Sequence, residues 1–206
     1  MSRRSILLQD VLKDTLCPGR HGVLTLGEAV RLTKGRIHEV QGDSADCFAL
    51  AVAASLRGPV IWIGSAPDIA SLNPSAVRDF MDPLRLTIIE AVSRQECLWS
   101  GEQALRAQGI ACVVIELAHG TDLKESRRLQ LAAEENGALG LVMISEHART
   151  SAAETRWRCD PSADGEVAWD WECTKNRKGE LGAWRVKWLG DDDGPSIVHL
   201  VATTAT

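Results

Sequence analysis

Between residues 36 and 144 the chain alternates short apolar runs with helix-forming stretches, and this alternation constrains the fold more than any other feature. Residues 36–41 (RIHEVQ) read as a strand ending at Gly42, and residues 45–56 (ADCFALAVAASL) as a buried helix closed by Gly58-Pro59. Residues 60–63 form a near-continuous apolar strand, 75–81 a short helix and 86–92 (LTIIEAV) another strand. Ser93 and Glu96 have the spacing of a capping box and open a helix that Gly109 closes. Strand 111–117 (ACVVIEL) follows. Asp122 and Glu125, spaced the same way, open helix 123–133, which ends near Asn136-Gly137. Residues 140–144 are the next buried strand. Short apolar strands separated by helices belong to a mostly parallel α/β sheet with helices on both faces, because each parallel crossover lays a helix on the sheet.

After residue 150 the period changes to two. Trp157 and Cys159 alternate with Arg156 and Arg158. Val167, Trp169, Trp171 and Cys173 alternate with Glu166, Asp170 and Glu172, and Trp184, Val186 and Trp188 with Arg185 and Lys187. This predicts a C-terminal antiparallel β-meander with a tryptophan face and a charged face. Residues 176–179 (NRKG) read as a hairpin connection, and 197–201 as a further edge strand after the acidic loop 191–194. At the other end, residues 6–16 place apolar side chains at 8, 11, 12 and 16 and stop at Pro18-Gly19, which predicts a short amphipathic helix. A helix that short needs something to dock on. The expected organisation is an N-terminal helical segment (1–22), an α/β core (23–150) and a tryptophan-rich β extension of the same domain (151–206).

The chain has 206 residues, enough to bury a core without disulfides or metals. Its formal net charge of −5 argues against a protein that coats nucleic acid electrostatically. No two of the six cysteines are spaced as CxxC and no histidines pair at i,i+4, so neither a disulfide frame, a zinc ribbon nor a metal site is expected. Buried thiols, the absence of a long apolar run and an early acidic residue in the N-terminal stretch predict a cytoplasmic protein without a membrane partner.

The turn after the first core strand is where a phosphate-binding loop would sit. Such a loop needs GxxxxGK[ST], so that backbone N–H groups wrap phosphates, a lysine neutralises them and a hydroxyl holds magnesium. Here Gly42 is present, but Cys47 stands at the second glycine, Phe48 at the lysine and Ala49 at the hydroxyl, while Asp43 and Asp46 would repel phosphate. Triphosphate binding in the usual mode is therefore not expected, and no cofactor is.

In this region the chain resembles the RecA-type core, and more narrowly the ImuA family of RecA-related accessory factors in bacterial SOS mutagenesis. The resemblance spans about residues 23–189. It rests on LTKGRIHEV (32–40) before the loop, GEQAL (101–105), the strand 113–117 ending near an acid, SRRLQLA (126–132) followed by EENGA (134–138), AAETRW (152–157), and the pairs Trp169/Trp171 and Trp184/Trp188. It implies that the catalytic glutamate position falls near Ala66 and the Walker B aspartate position at Glu116, so that the recombinase engine is missing. It also implies a non-catalytic scaffold in error-prone translesion DNA synthesis. The partners it implies are an ImuB-type relative of Y-family polymerases, an error-prone C-family polymerase and RecA. Two other readings stay open: an inhibitor of the SulA type that binds the division protein FtsZ, and a nucleotide-dependent RecA paralogue.

Each singled-out residue also has a plainer reading. Glu116 is expected as a solvated strand-end carboxylate, His38 as a satisfied core histidine, and Cys47 as a buried thiol whose reactivity Asp43 and Asp46 oppose. Trp99 projects away from the stripe Leu98, Gly101 and Leu105. Packing on the neighbouring strand connection is the favoured reading, and a partner anchor, with Leu8, Val11 and Leu12 of the N-terminal helix, is the other. The meander tryptophans are expected in the core rather than as a stacking platform for bases. Arg149 and Arg156 bracket a segment that contacts single-stranded DNA in recombinases and are the candidates for weak DNA contact.

Overall fold

The computed structural model describes residues 22–26, 30–145, 150–163, 168–187 and 199–202. The N-terminal helix with Leu8, Val11 and Leu12, as well as Arg149, Val167, Trp188 and the acidic loop 191–194, lies outside the described residues. In chain order the elements are the hairpin β1 (Val23–Leu26) and β2 (Val30–Thr33), then β3 (Ile37–Gln41), α1 (Ala45–Ala54), β4 (Val60–Gly64), α2 (Ala66–Ser71) and α3 (Pro74–Phe80). They continue with β5 (Leu86–Glu90), α4 (Arg94–Arg106), β6 (Cys112–Leu117), α5 (Leu123–Asn136), β7 (Leu139–Ile144), β8 (Thr155–Pro161), β9 (Ala168–Asn176), β10 (Gly182–Lys187) and β11 (His199–Ala202).

Strands β3 to β11 form one nine-stranded sheet in the order β11-β10-β9-β8-β3-β7-β6-β4-β5. From β8 to β5 every pairing is parallel, and from β8 to β11 every pairing is antiparallel. The α/β class, the mostly parallel sheet and the C-terminal meander are as the sequence pattern predicts. β8 is the joint between the two regimes, because it runs parallel to β3 and antiparallel to β9.

Two apolar layers hold the sheet. On one face α1, α3 and the β1–β2 hairpin pack with Val40, Trp62, Val114 and Leu141 of the parallel strands and with Trp157, Trp171 and Val186 of the meander. On the other, α4 and α5 cover Ile37, Ile63, Val113, Ile115 and Val142. Alternate residues of each parallel strand supply the two layers, which is why β6 and β7 read as continuous apolar runs. Gly101 lets α4 come down on β6: a Cβ there would stand 2.3 Å from the Ile115 Cδ1.

The meander sorts its side chains as its period-two pattern predicts. Trp157 and Trp171 are fully buried around Phe48, at 5.4 and 4.8 Å between ring centroids, and Trp169 and Trp184 are half-buried against the same layer. The outward face is closed by its own ion pairs. Arg185 stands directly opposite Asp170 in register and donates to both of its oxygens, at 2.8 and 3.2 Å, and Arg158 donates to Asp160 at 2.7 Å.

Some elements differ from expectation. The β1–β2 hairpin and helix α2 are additions. The second is nucleated by a Ser65–Asp68 capping box over only six residues, too few to show a helical period. Helix α5 ends at Asn136 before Gly137, whose φ is +79°, at the Asn136-Gly137 stop that the sequence predicts. Its Asp122–Glu125 capping box is complete. The Ser93–Glu96 box is one-sided: Ser93 accepts from the Glu96 N–H, but the Glu96 carboxylate reaches back to the Val92 N–H at 3.0 Å instead of that of Ser93.

Candidate functional site

The C-terminal ends of β3, β4, β6 and β7 open into a cleft of about 320 Å³. In an open α/β sheet this is where ligands bind. Its lining includes Gly42, Asp43 and Asp46 from the turn after β3 and the first turn of α1, Trp62 of β4, Glu116 of β6 and Ser145 beyond β7. The charged side chains that line it are thus all acidic.

The turn itself is closed from within. Gly42 has a φ of +106°, open to glycine, and a Cβ there would lie 2.3 Å from the Cys159 carbonyl oxygen of β8. With the chain so close to β8, the Asp43 N–H donates to Asp160 Oδ1 at 3.2 Å and the Ser44 N–H to the Cys159 carbonyl at 3.0 Å. The Ala45 N–H donates to the Gly42 carbonyl at 3.1 Å. These are the backbone donors that an anion at a helix N-terminus would use. A carboxylate of the chain's own β8 already takes one of them.

The six residues aligned with a nucleotide site separate in space. Gly42 and Glu116 line the cleft. Helix α1 begins at Ala45, so Cys47, Phe48 and Ala49 are helical residues and not loop residues. Phe48 does not fill the cleft. Its ring turns into the apolar layer against Trp157 and Trp171, and Ala49 is buried in the same layer. Ala66 is the exposed first residue of α2, and the nearby acid Asp68 serves as that helix's cap, accepting from the Ser65 N–H and hydroxyl. The Cys47 thiol is pushed up to about 12, first by burial and then by Asp46, as expected for an inert buried thiol.

Glu116 departs from the expected solvated carboxylate. It is half-buried and accepts a hydrogen bond from the indole N–H of the fully buried Trp62. Burial raises its carboxyl above the ordinary range, the indole bond opposes this, and Asp68 and Asp46 add to the rise. Trp62 carries no mark in the sequence beyond its place in an apolar strand.

On the opposite face of β3 a second polar cluster is buried. Glu39 is 1% exposed and accepts from Arg156 Nε at 2.8 Å and Nη2 at 2.6 Å, and from the buried Thr121 hydroxyl at 3.2 Å. Arg156 and Glu39 are direct partners in the β3–β8 register. The guanidinium proposed from sequence to meet DNA is therefore committed to an internal carboxylate. Next to it in the chain, His38 is fully buried, as expected of a core histidine. Its Nδ1 is 2.8 Å from the Thr155 hydroxyl, which also accepts from the Trp157 indole, and its Nε2 is 3.0 Å from the Thr33 carbonyl. A carbonyl only accepts, so the proton sits on Nε2. Burial lowers the imidazole to about 4, and it stays neutral.

Trp99 is 59% exposed on the outer side of α4, so the packing favoured from the sequence is not formed. Among the described residues, no helix is long and apolar enough to cross a membrane, and no three His, Cys, Asp or Glu side chains are grouped to hold a metal.

No family model matches the chain. Protein ImuA from two strains of Caulobacter vibrioides is 28% identical to it over 219 residues, covering 93% of this chain and 86% of the relative. The chain is similar to Protein ImuA over nearly its whole length. Coverage of nearly the whole length means that the similarity takes in the cleft, the Glu39 cluster and the meander together, and not the sheet alone. Neither Asp160 as the partner of the β3 turn nor Arg156 as the partner of Glu39 carries a mark of that role in the sequence. Both lie more than a hundred residues away from the groups they satisfy.

Proposed function

We propose that this chain is a non-catalytic, RecA-like accessory scaffold in SOS-induced error-prone DNA synthesis. It acts by binding polymerase components and RecA rather than by turning over a nucleotide. The observation that carries this reading is the β3 turn, whose backbone donors are bonded to Asp160 and the Cys159 carbonyl and whose cleft is lined by Asp43, Asp46 and Glu116. A triphosphate would have to displace an internal carboxylate and then sit beside three more, with no lysine lining the cleft to neutralise it. The mostly parallel sheet with helices on both faces supports the RecA-like reading.

The partners are those the family implies: an ImuB-type polymerase relative, an error-prone C-family polymerase and RecA. Trp99 offers the large, rigid, exposed aromatic that interface centres favour. Calorimetry with ATP and magnesium tests the reading: no heat is expected, and micromolar binding overturns it. Capture assays test the partners. The ImuB-type relative should be retained and Trp99→Ala should weaken its capture tenfold or more, whereas retention of FtsZ in its place would make the chain a division inhibitor.

A further inference from the structure

The base of the loop that joins β7 to β8 carries a concentration of positive charge that its surroundings do not neutralise. At the end of β9, Lys175 Nζ donates to the Ser151 carbonyl at 3.0 Å, and Arg177 Nη2 approaches the same oxygen at 3.5 Å. Two cations thus share one neutral acceptor. The acids around them are already engaged. Glu39 accepts from Arg156 and Thr121, and Glu154 lies 3.4 Å from both Arg36 and Lys178 and accepts from the Thr33 hydroxyl. Among the described residues, neither Lys175 nor Arg177 has a carboxylate within ion-pair distance. Burial also pulls the Lys175 ammonium below its ordinary range; Glu39 opposes this, and the Arg156 and Arg177 guanidiniums add to it.

The scaffold beneath them is firm. The Asn176 side chain accepts from the Lys178 and Gly179 N–H groups and donates to the Glu180 carbonyl, which sets the turn, and the Arg177 N–H donates to the Glu154 carbonyl. Lys175 and Arg177 stand two residues apart and reach to one side, about 7 Å apart along an extended chain. Elsewhere on the outward face of the meander, Arg185 and Arg158 are each paired with an acid, Asp170 and Asp160. Lys175 and Arg177 therefore form a local basic site on an acidic protein.

We propose that Lys175 and Arg177, which meet over the buried Ser151 carbonyl, contact successive phosphates of a single-stranded nucleic acid. Phosphate oxygens supply the negative charge that the carbonyl lacks, and two cations in line on an ordered turn suit a repeating backbone. The site replaces Arg156 as the place of nucleic-acid contact. It rests on the scaffold reading only for the expectation that DNA is close at hand.

The test is fluorescence anisotropy of a labelled single-stranded oligonucleotide titrated with the full chain over a range of salt. The wild type should bind with an affinity that falls as salt rises. Lys175→Gln with Arg177→Gln keeps amide donors for the Ser151 carbonyl and removes both charges. It should weaken binding at least tenfold and make the salt slope shallower by about 1.4 for two single-strand phosphate contacts. Lys175→Arg with Arg177→Lys should keep wild-type affinity. If the double glutamine variant does not fold, Arg177→Gln alone, at an exposed position, should remove about 0.7 of the slope. The proposal is overturned if the wild type shows no salt-dependent binding, if the glutamine variants bind like wild type, or if polyglutamate competes as well as the oligonucleotide. Capture of the ImuB-type relative by the same preparations separates the two readings. Intact capture without DNA binding removes this site alone, and DNA binding without capture removes the scaffold reading alone.

Discussion

Strand β3 has a carboxylate region on each side of it, and the two are built differently. On the α5 side Glu39 is buried but answered, by a two-pronged arginine and a threonine hydroxyl. On the α1 side Glu116 is half-buried beside Asp43 and Asp46 and is answered by one neutral indole N–H. A compensated buried charge serves specificity of packing, because the wrong arrangement leaves it unpaired. An uncompensated one raises its own pKa and keeps anions out. The difference shows that the strand ends, where an α/β enzyme would gather cations for a phosphate, carry negative charge here, and that the arginine went to the interior of the sheet.

The largest effect should come from breaking the compensated side. Arg156→Met would leave Glu39 buried without its cation and should destabilise the fold by about 3–5 kcal/mol in chemical denaturation. A loss under about 1 kcal/mol would mean that water reaches Glu39 and that the two regions are not so different.

His38, beside Glu39 but facing the α1 layer, is buried and neutral, so it measures what that layer costs a charge. Its folded pKa of about 4 lies below the unfolded value of 6.5. The unfolded chain therefore takes up a proton that the native state refuses. Stability should be fully present above 6.5, fall by on the order of 3 kcal/mol as the pH drops to about 4, and level off below. The slope should disappear from denaturation curves of His38→Gln, and if it persists there another group carries it.

Effects on the uncompensated side should be smaller. Trp62→Phe removes the N–H that Glu116 accepts, together with part of the buried ring volume. It should cost about 1.5–3 kcal/mol at neutral pH and move the Glu116 titration further up, as read by NMR. Glu116→Gln should act in the opposite direction. The raised carboxyl favours its protonated form when folded, so its contribution is present at low pH and lost as pH rises through the folded pKa. The glutamine variant should therefore melt slightly higher at pH 7 and no differently in acid. A lower midpoint at pH 7 would show that Glu116 is compensated after all.

Much of this was legible in the residues themselves. The apolar runs placed β3 through β7 and their helices, and the period-two stretch placed β8 to β10 and turned Trp157 and Trp171 inward. That Phe48 and Ala49 stand where a phosphate-binding loop would need lysine and a hydroxyl is visible directly. The motif spacing sets Phe48 at the lysine position of such a loop, but the helix starts at Ala45 and carries that ring into the core.

Periodicity determined which side chains face inward, because burial repeats every two residues in a strand and every three or four in a helix, and both repeats are written locally. Composition and order at residues 42–49 likewise determined that this chain lacks the groups a phosphate-binding loop requires. Only the tertiary structure decided who answers whom: Asp160 for the turn after β3, Arg156 for Glu39, Trp62 for Glu116, and one carbonyl for both Lys175 and Arg177. Polar groups are satisfied by whatever strand the sheet order sets beside them, and that order joins residues far apart along the chain.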